Sequence, residues 1–197
     1  MHLVADNLYH IYNQGNNQQQ IFFERADYVR FLEKYRALVL PHCETLAYVL
    51  MPNHFHFEVD ITARSVRKVK LGNIELTAVS NGFRLLLSEF AHEINDKYQR
   101  SGSLFRQKTK AKILVDADDS YGTTCFHYLH QNPMAAGLVR KMEDWEFSSF
   151  RDYLHLRRGT LCNQTLASQY LRFTPELFYR ESYGVIPEER IKKLHLD

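Results

Sequence analysis

Two apolar runs separated by a single turn-forming pair constrain the fold of this chain more than any other feature. The runs TLAYVLM (45–51) and HFHFEVD (54–60) are joined only by Pro52 and Asn53. Short runs rich in β-branched and aromatic residues are typical of strands, and Pro-Asn favours a tight turn. The pattern predicts two antiparallel strands that lie side by side as a hairpin.

Strands and helices are predicted to alternate on both sides of this hairpin. The predicted elements are a strand at 8–13, helices at 27–39 and 83–98, a strand at 108–116, and a third helix with Asp118, Asp119 and Ser120 as possible N-caps that ends near Asn132-Pro133. The first six elements follow the split βαβ order. We therefore expect an α+β fold, ferredoxin-like or RRM-like, with an antiparallel sheet and helices packed on one face.

The chain is expected to form one main domain with an extension. The main domain should comprise residues 1–153, and residues 154–197, rich in aromatic and charged side chains, predict a helical extension packed on the core. Residues 62–80 contain a run of basic residues and predict an insertion with a short strand at 74–79.

Composition restricts the class of protein. With 45% hydrophobic and 24% charged residues, the chain has the balance of a folded globular protein. No apolar run reaches membrane-spanning length, the N-terminus lacks the pattern of a secretion signal, and the three cysteines are widely spaced. We therefore expect a cytoplasmic protein that binds no membrane. The formal net charge of +2 is too small to indicate a nucleic-acid partner by itself.

His54 and His56 form a candidate metal site in the second strand of the hairpin. Side chains alternate along a strand, so both imidazoles are predicted on one face while Phe55 and Phe57 point into the core. Two imidazoles on one face can hold a metal ion between them. The alternative is a pair of solvated histidines, which is the commoner arrangement for an isolated pair.

Tyr128 and Asn132 are candidates for a nucleophile and a third ligand. They are four residues apart and so share one helical face. An amide oxygen suits magnesium or manganese, and a phenol one turn away would lie near the same ion. Alternatively, Tyr128 is a core aromatic residue and Asn132 caps the helix before Pro133.

Several segments together resemble the single-tyrosine transposases of the His-hydrophobic-His (HUH) nuclease superfamily, most closely the REP-associated branch. The segments are YHIYNQGNNQQQIF with DYVRFL, AYVLMPNHFHFEV, GSLFRQKTKAKILVD, YLHQNPMAAGLV and DWEFSSFRDY. They occur in family order and span most of the chain, from Tyr9 to Tyr153.

This resemblance implies a metal-dependent endonuclease and strand transferase that cleaves single-stranded DNA near hairpin repeats through a 5′-phosphotyrosine. His54, His56 and Asn132 would hold Mg²⁺ or Mn²⁺, and Tyr128 would be the nucleophile. Relatives carry Gln or Asn four residues after the tyrosine. Gln131 is one residue short of that position and turned away by about 100°, which favours Asn132. The resemblance is compatible with a monomer or a homodimer.

Cations cluster between the second helix and the strand that follows it. The candidates for binding single-stranded DNA are Arg100, Arg106, Lys108, Lys110 and Lys112. With Phe105 among them, they provide the mix of cations and aromatic rings that suits single strands. The three lysines alternate, so they would share one strand face. An edge strand protected by lysines is the alternative.

Some residues depart from the family pattern or compete with the assigned ones. Glu58 stands where an apolar residue is expected, on the face of the histidines, where it could support the ligands or compete with them. Tyr121 lies near the Tyr128 face but has no amide four residues later. Two other function classes stay open. One is a catalytically inactive or domesticated binder of structured single-stranded nucleic acid, and the other is a zinc-stabilised structural protein.

Overall fold

The computed structural model of the chain describes residues 1–114, 120–171 and 173–194. The strands are β1 (Asn7–Gln14), β2 (Glu44–Met51), β3 (His54–Ile61), β4 (Lys68–Leu71), β5 (Ile74–Thr77) and β6 (Lys110–Ile113). The helices are α1 (Arg25–Leu38), α2 (Ala78–Lys97), α3 (Tyr121–Ala135), α4 (Phe150–Tyr153), α5 (Gln164–Tyr170), α6 (Phe178–Ser182) and α7 (Glu188–Leu194).

Four of the strands form an antiparallel sheet in the order β2-β3-β1-β6. β1 pairs with β3 along its whole length, from Asn7 opposite Ile61 to Gln14 opposite His54. With β4 and β5 left aside, chain order and sheet order match the split βαβ arrangement. The expected α+β, ferredoxin-like fold class is therefore confirmed, as is the hairpin formed by β2 and β3.

α1 and α2 cover one face of this sheet. Phe55 and Phe57 are fully buried there. Phe57 stacks on Tyr35 of α1 with a centroid distance of 4.0 Å, and Phe55 meets Phe31 of the same helix at 5.2 Å. Burial of each such side chain contributes about 1.5–3 kcal/mol. The same alternation turns the two histidines of β3 to the opposite face, where α3 lies against β2 and β3.

The basic segment that follows β3 folds into a hairpin that was only half predicted. β5 corresponds to the strand predicted at 74–79, whereas its antiparallel partner β4 was not anticipated. α2 then begins at Ala78 rather than at residue 83. Thr77 accepts a hydrogen bond from the Ser80 amide at 3.3 Å and so caps the helix at this earlier point.

The third helix was predicted to end near Asn132-Pro133, and α3 ends at Ala135, two residues beyond Pro133. The Leu138 amide donates to the Pro133 carbonyl at 2.9 Å, and the Gly137 amide donates to the Met134 carbonyl at 3.0 Å. With Gly137 at a φ of 69°, this is a Schellman ending, which only a residue tolerant of the left-handed region allows. Asn132 therefore lies inside the helix and is not its cap.

The strand predicted at 108–116 is shorter in the structure, where β6 ends at Ile113 and Lys108 precedes it. Residues 115–119, which include two of the three expected cap residues, lie outside the described residues. The third, Ser120, does not cap α3 through its side chain, which instead accepts a hydrogen bond from Arg190 at 2.8 Å.

The C-terminal segment packs on β2 and on the outer side of α3. The Asn163 amide donates to the Thr45 carbonyl of β2 at 2.8 Å. Phe178 of α6 is fully buried and meets Phe126 of α3 at a centroid distance of 5.7 Å. Within the described residues, every helix is too short or too polar to cross a bilayer.

Candidate active site

β3 holds the two candidate metal-binding histidines in the interior of the sheet, since β1 and β2 flank it. The rings of His54 and His56 lie on one face, with 4.9 Å between centroids and 86° between planes. His56 is buried. His54 is half-buried, and its Nδ1 lies 2.6 Å from the Asn53 side-chain oxygen. The face that carries them is the one opposite the phenylalanine core.

β1 adds two rings that the sequence analysis did not select. Tyr12 lies opposite His56 in the strand register, and the two ring centroids are 5.6 Å apart. The His10 ring stacks on Tyr12 at 4.7 Å, and His10 Nε2 lies 2.7 Å from His56 Nδ1. Both histidines of this pair are buried. The alternation in LYHIYN places His10 and Tyr12 on one face of β1, but only the register shows which residues of β3 they meet.

α3 places Tyr128 over the same face. Its ring centroid lies 6.2 Å from that of His56, with the ring planes at 82°. Burial raises the pKa of the Tyr128 phenol, and a hydrogen bond with the Asn132 side chain partly opposes this shift. The phenol is therefore protonated at neutral pH, beside both an imidazole and an amide.

The two amides near the end of α3 point to different parts of the molecule. Gln131 donates hydrogen bonds of 2.8 Å to the carbonyl oxygens of Ser182 and Gly184 in the C-terminal segment. The Asn132 side chain instead contacts Tyr128, bonding to its phenol and lying 3.5 Å from its carbonyl oxygen. The Asn132 amide therefore lies beside Tyr128, whereas the Gln131 amide bonds to the C-terminal segment.

Glu58 is buried beneath α3. It is fully shielded from solvent, and within the described part of the chain neither carboxyl oxygen has a hydrogen-bond partner. Gly122 of α3 lies over this carboxyl, just outside β1 and β3: a Cβ added there would be in ordinary contact with Glu58 at 3.5 Å and in tight contact with the Leu8 side chain at 3.2 Å. Burial raises the pKa of Glu58 well above its usual range.

Other titratable side chains of α3 have partners away from the sheet. The Tyr121 hydroxyl donates to a backbone carbonyl of α7. His127 Nδ1 lies 3.0 Å from the Ser182 hydroxyl, and burial lowers the pKa of this imidazole to about 4. His130 Nε2 lies 2.8 Å from the Ser149 hydroxyl. These residues join α3 to the segments packed outside it.

Two of the five candidate DNA-binding cations lie on the face of the histidines. Lys110 and Lys112 of β6 pair with Tyr12 and His10 of β1, so their side chains leave the sheet on that face. Lys108 is exposed and precedes the strand.

The two arginines lie on the connection between α2 and β6. Arg106 is exposed, and its amide donates to the Gln14 carbonyl at 2.9 Å, at the end of β1 opposite His54. Arg100 hydrogen-bonds the Gln19 side chain and lies 5.5 Å from the Phe23 ring. The structure therefore brings Arg106 near the histidine face and holds Arg100 against the loop that precedes α1.

The residues of this face fit a divalent cation. Two imidazoles and an amide oxygen are ligand types that such ions accept in proteins. Among the described residues, no cluster of three or more His, Cys, Asp or Glu side chains could hold a metal. Among the described residues, the amide that lies on this side of α3 is that of Asn132, beside the phenol that meets His56.

Comparisons with known proteins agree with the fold. The chain is similar to the solved structure of a REP-associated tyrosine transposase bound to a REP hairpin, with a TM-score of 0.56 and 17% identity over 79% of this chain and 83% of that one. At this identity the likeness shows a shared fold, and to that extent the resemblance drawn from the sequence is confirmed. No family model and no curated protein matches the chain.

Proposed function

We propose that this protein is a single-stranded DNA endonuclease and strand transferase of the tyrosine-transposase type, with Tyr128 as its nucleophile. The observation that carries the proposal is the Tyr128 ring, 6.2 Å from His56 on the face that also holds His54. The fold shared with a transposase bound to a DNA hairpin supports the same class.

The proposed reaction exchanges one phosphorus–oxygen bond for another. The Tyr128 phenol oxygen bonds to phosphorus while the bond from phosphorus to the 3′ oxygen breaks. The phenol gives up its proton, and the departing 3′ oxygen gains one. The products are a 5′-phosphotyrosine and a free 3′-hydroxyl, so a second 3′-hydroxyl can attack the phosphotyrosine and join the strands without ATP.

The side chains of the site provide alignment for this step. Asn132 lies beside the phenol, and the packing of α3 on the sheet sets the distance of the phenol ring from His56. Burial raises the pKa of the phenol, so the free protein holds it protonated and the reaction has to remove this proton. Mg²⁺ or Mn²⁺ held by His54, His56 and Asn132 would polarise the scissile phosphate as a Lewis acid.

The proposed DNA-binding surface consists of the cations that flank the site. Lys110 and Lys112 lie on the histidine face, and Arg106 lies at the end of β1. Lys108 lies between Arg106 and Lys110 in the sequence. Positive side chains along such a path suit the phosphates of a single strand leading to Tyr128. Arg100 already bonds to Gln19, and Lys112 bonds to a backbone carbonyl of α7, so these two would contribute less than Lys110, Lys108 and Arg106. We propose that hairpin-bearing single-stranded DNA is the partner.

A covalent-adduct assay tests the proposal. The protein is incubated with 3′-end-labelled single-stranded DNA from the hairpin repeats that flank its own gene, with Mg²⁺, Mn²⁺ or a chelator, and resolved on a denaturing gel. The wild type should form a protein–DNA adduct only with metal, and Tyr128→Phe should form none. Tyr121→Phe is the matched control, because it removes a phenol from the same helix and should retain the adduct.

Two outcomes would contradict the proposal. An adduct that persists in Tyr128→Phe would assign the chemistry to another nucleophile. Tight hairpin binding with no adduct under any metal would instead favour a binding protein that does not cut DNA.

A further inference from the structure

The contact between His10 and His56 points to a role for a residue outside the proposed ligand set. His10 Nε2 lies 2.7 Å from His56 Nδ1, a distance at which the two imidazoles share one proton in a hydrogen bond. One ring donates and the other accepts, so this contact links the tautomers of the two histidines.

His10 is held firmly in this position. It is 1% exposed, its ring stacks on Tyr12 at 4.7 Å, and Lys112 and Glu58 lie opposite it on the neighbouring strands. Because its Nε2 already contacts an imidazole nitrogen, His10 is not placed to act as a ligand together with His56. Its position suits support of a ligand.

We propose that His10 is a positioning residue that fixes His56 as the Nδ1–H tautomer, so that His56 presents Nε2 to a divalent cation. This inference rests on the proposed function. In the arrangement, His56 Nδ1–H donates to His10 Nε2, and the lone pair of His56 Nε2 is directed away from His10. Ligating histidines in proteins usually donate their second ring N–H in this way, and loss of the acceptor typically weakens metal affinity 10- to 100-fold.

Two substitutions separate this role from simple packing. His10→Phe keeps a ring of similar size but removes the acceptor. His10→Gln places an amide oxygen near the position of Nε2 and so restores an acceptor without an imidazole. A residue that only fills space would be replaced better by phenylalanine, whereas an acceptor would be replaced better by glutamine.

The first measurement is Mn²⁺ binding to the whole chain without DNA, by isothermal titration. We expect wild type and His10→Gln to bind with similar affinity and His10→Phe to bind about 10- to 100-fold more weakly. Equal affinity in His10→Phe and wild type would overturn the role of His10 and leave the proposed nuclease intact. If the wild type binds no Mn²⁺ beyond what His56→Ala binds, the proposed metal site itself is wrong, and the role of His10 fails with it.

A second measurement needs no substitution at His10. Long-range ¹H–¹⁵N spectra of the metal-free wild type at pH 8 report which ring nitrogen of each neutral histidine carries the proton, and loss of a signal in His56→Gln assigns it. The Nδ1–H form of His56 is expected. The Nε2–H form would overturn the proposal whatever the titration shows, because that nitrogen could not then bind a cation without losing its proton.

Discussion

Tyr128 of α3 and His56 of β3 face each other edge to face, with ring centroids 6.2 Å apart and planes at 82°. The two residues are far apart in the sequence, and neither strand pairing nor helix periodicity alone brings them together. Their contact depends on how α3 packs on the sheet, so a substitution that shifts α3 would change the position of Tyr128 relative to His56.

Substitution of Asn132 should slow DNA cleavage, whereas substitution of Gln131 should not. Asn132→Ala removes the amide that bonds to Tyr128 and the proposed third ligand, so we expect cleavage to fall by at least about 10- to 100-fold. The measurement is the single-turnover rate of adduct formation as a function of Mn²⁺ concentration.

Gln131→Ala is the matched control for Asn132, because the Gln131 amide bonds to Ser182 and Gly184 and not to the site. It should retain the rate of adduct formation at saturating Mn²⁺. If Gln131→Ala lost as much activity as Asn132→Ala, the choice of Asn132 as ligand would be wrong.

Lys110 should contribute one phosphate contact. Lys110→Ala should weaken hairpin binding and reduce the slope of log affinity against log salt by about 0.7, the value for one counterion released from a single strand. Fluorescence anisotropy over a series of salt concentrations measures both quantities.

Arg30→Ala controls for the loss of one positive charge, since Arg30 lies on α1, on the other side of the sheet, and pairs with Glu93 and Glu33. It should leave the salt slope unchanged. Equal slopes for Lys110→Ala and wild type would place the DNA elsewhere.

Glu58 is expected to lower the stability of the folded protein. Its carboxyl is fully buried with no hydrogen-bond partner among the described residues, and an uncompensated polar group of this kind costs about 1–3 kcal/mol. Glu58→Met, which has a similar volume and no polar oxygen, should raise the free energy of unfolding by about that amount. Urea unfolding at pH 7 with a chelator measures it.

An exposed glutamate provides the comparison for Glu58. Glu33 pairs with Arg30 on the surface of α1, and such a pair contributes about 0–1 kcal/mol. Glu33→Met should therefore change stability little. A loss of stability in Glu58→Met would contradict this prediction.

His127 should make folding sensitive to acid. Burial lowers the pKa of its imidazole from 6.5 to about 4, so between these values the unfolded chain binds a proton that the folded chain does not. Stability is therefore lost as pH falls below 6.5, by up to about 1.4 kcal/mol per pH unit. His127→Gln cannot take up this proton and should lose less stability. Urea unfolding of both proteins at pH 7.5, 6 and 5 tests this, and parallel losses would contradict it.

Local sequence patterns predicted strands and helices best where a turn-forming pair or a regular alternation of side chains was present. Pro52-Asn53 defined the β2–β3 hairpin, and the strand period placed His54 and His56 on one face. The end of α3 could have been predicted more accurately from Gly137. A glycine just after a helix is a stronger signal for the helix end than a proline in its last turns.

Features that depend on pairing between distant parts of the chain could not be predicted from the sequence. His10 and Tyr12 were visible as alternating residues, but their partners in β3 follow from a register between strands that are separated by a helix and a further strand. Glu58 broke the apolar pattern of its strand. Only the position of α3 showed that it is buried and not at the surface.

The bonds from His127 and Gln131 to residues 182–184 have a consequence for how the protein is made. A ribosome releases the sheet and its histidines well before it releases the segment that packs on the outer side of α3. Until that segment emerges, the helix with Tyr128 keeps its own packing on β2 and β3 but lacks the contacts on its outer side. A nascent or prematurely terminated chain would therefore hold Tyr128 less firmly over the strand histidines than the whole chain does.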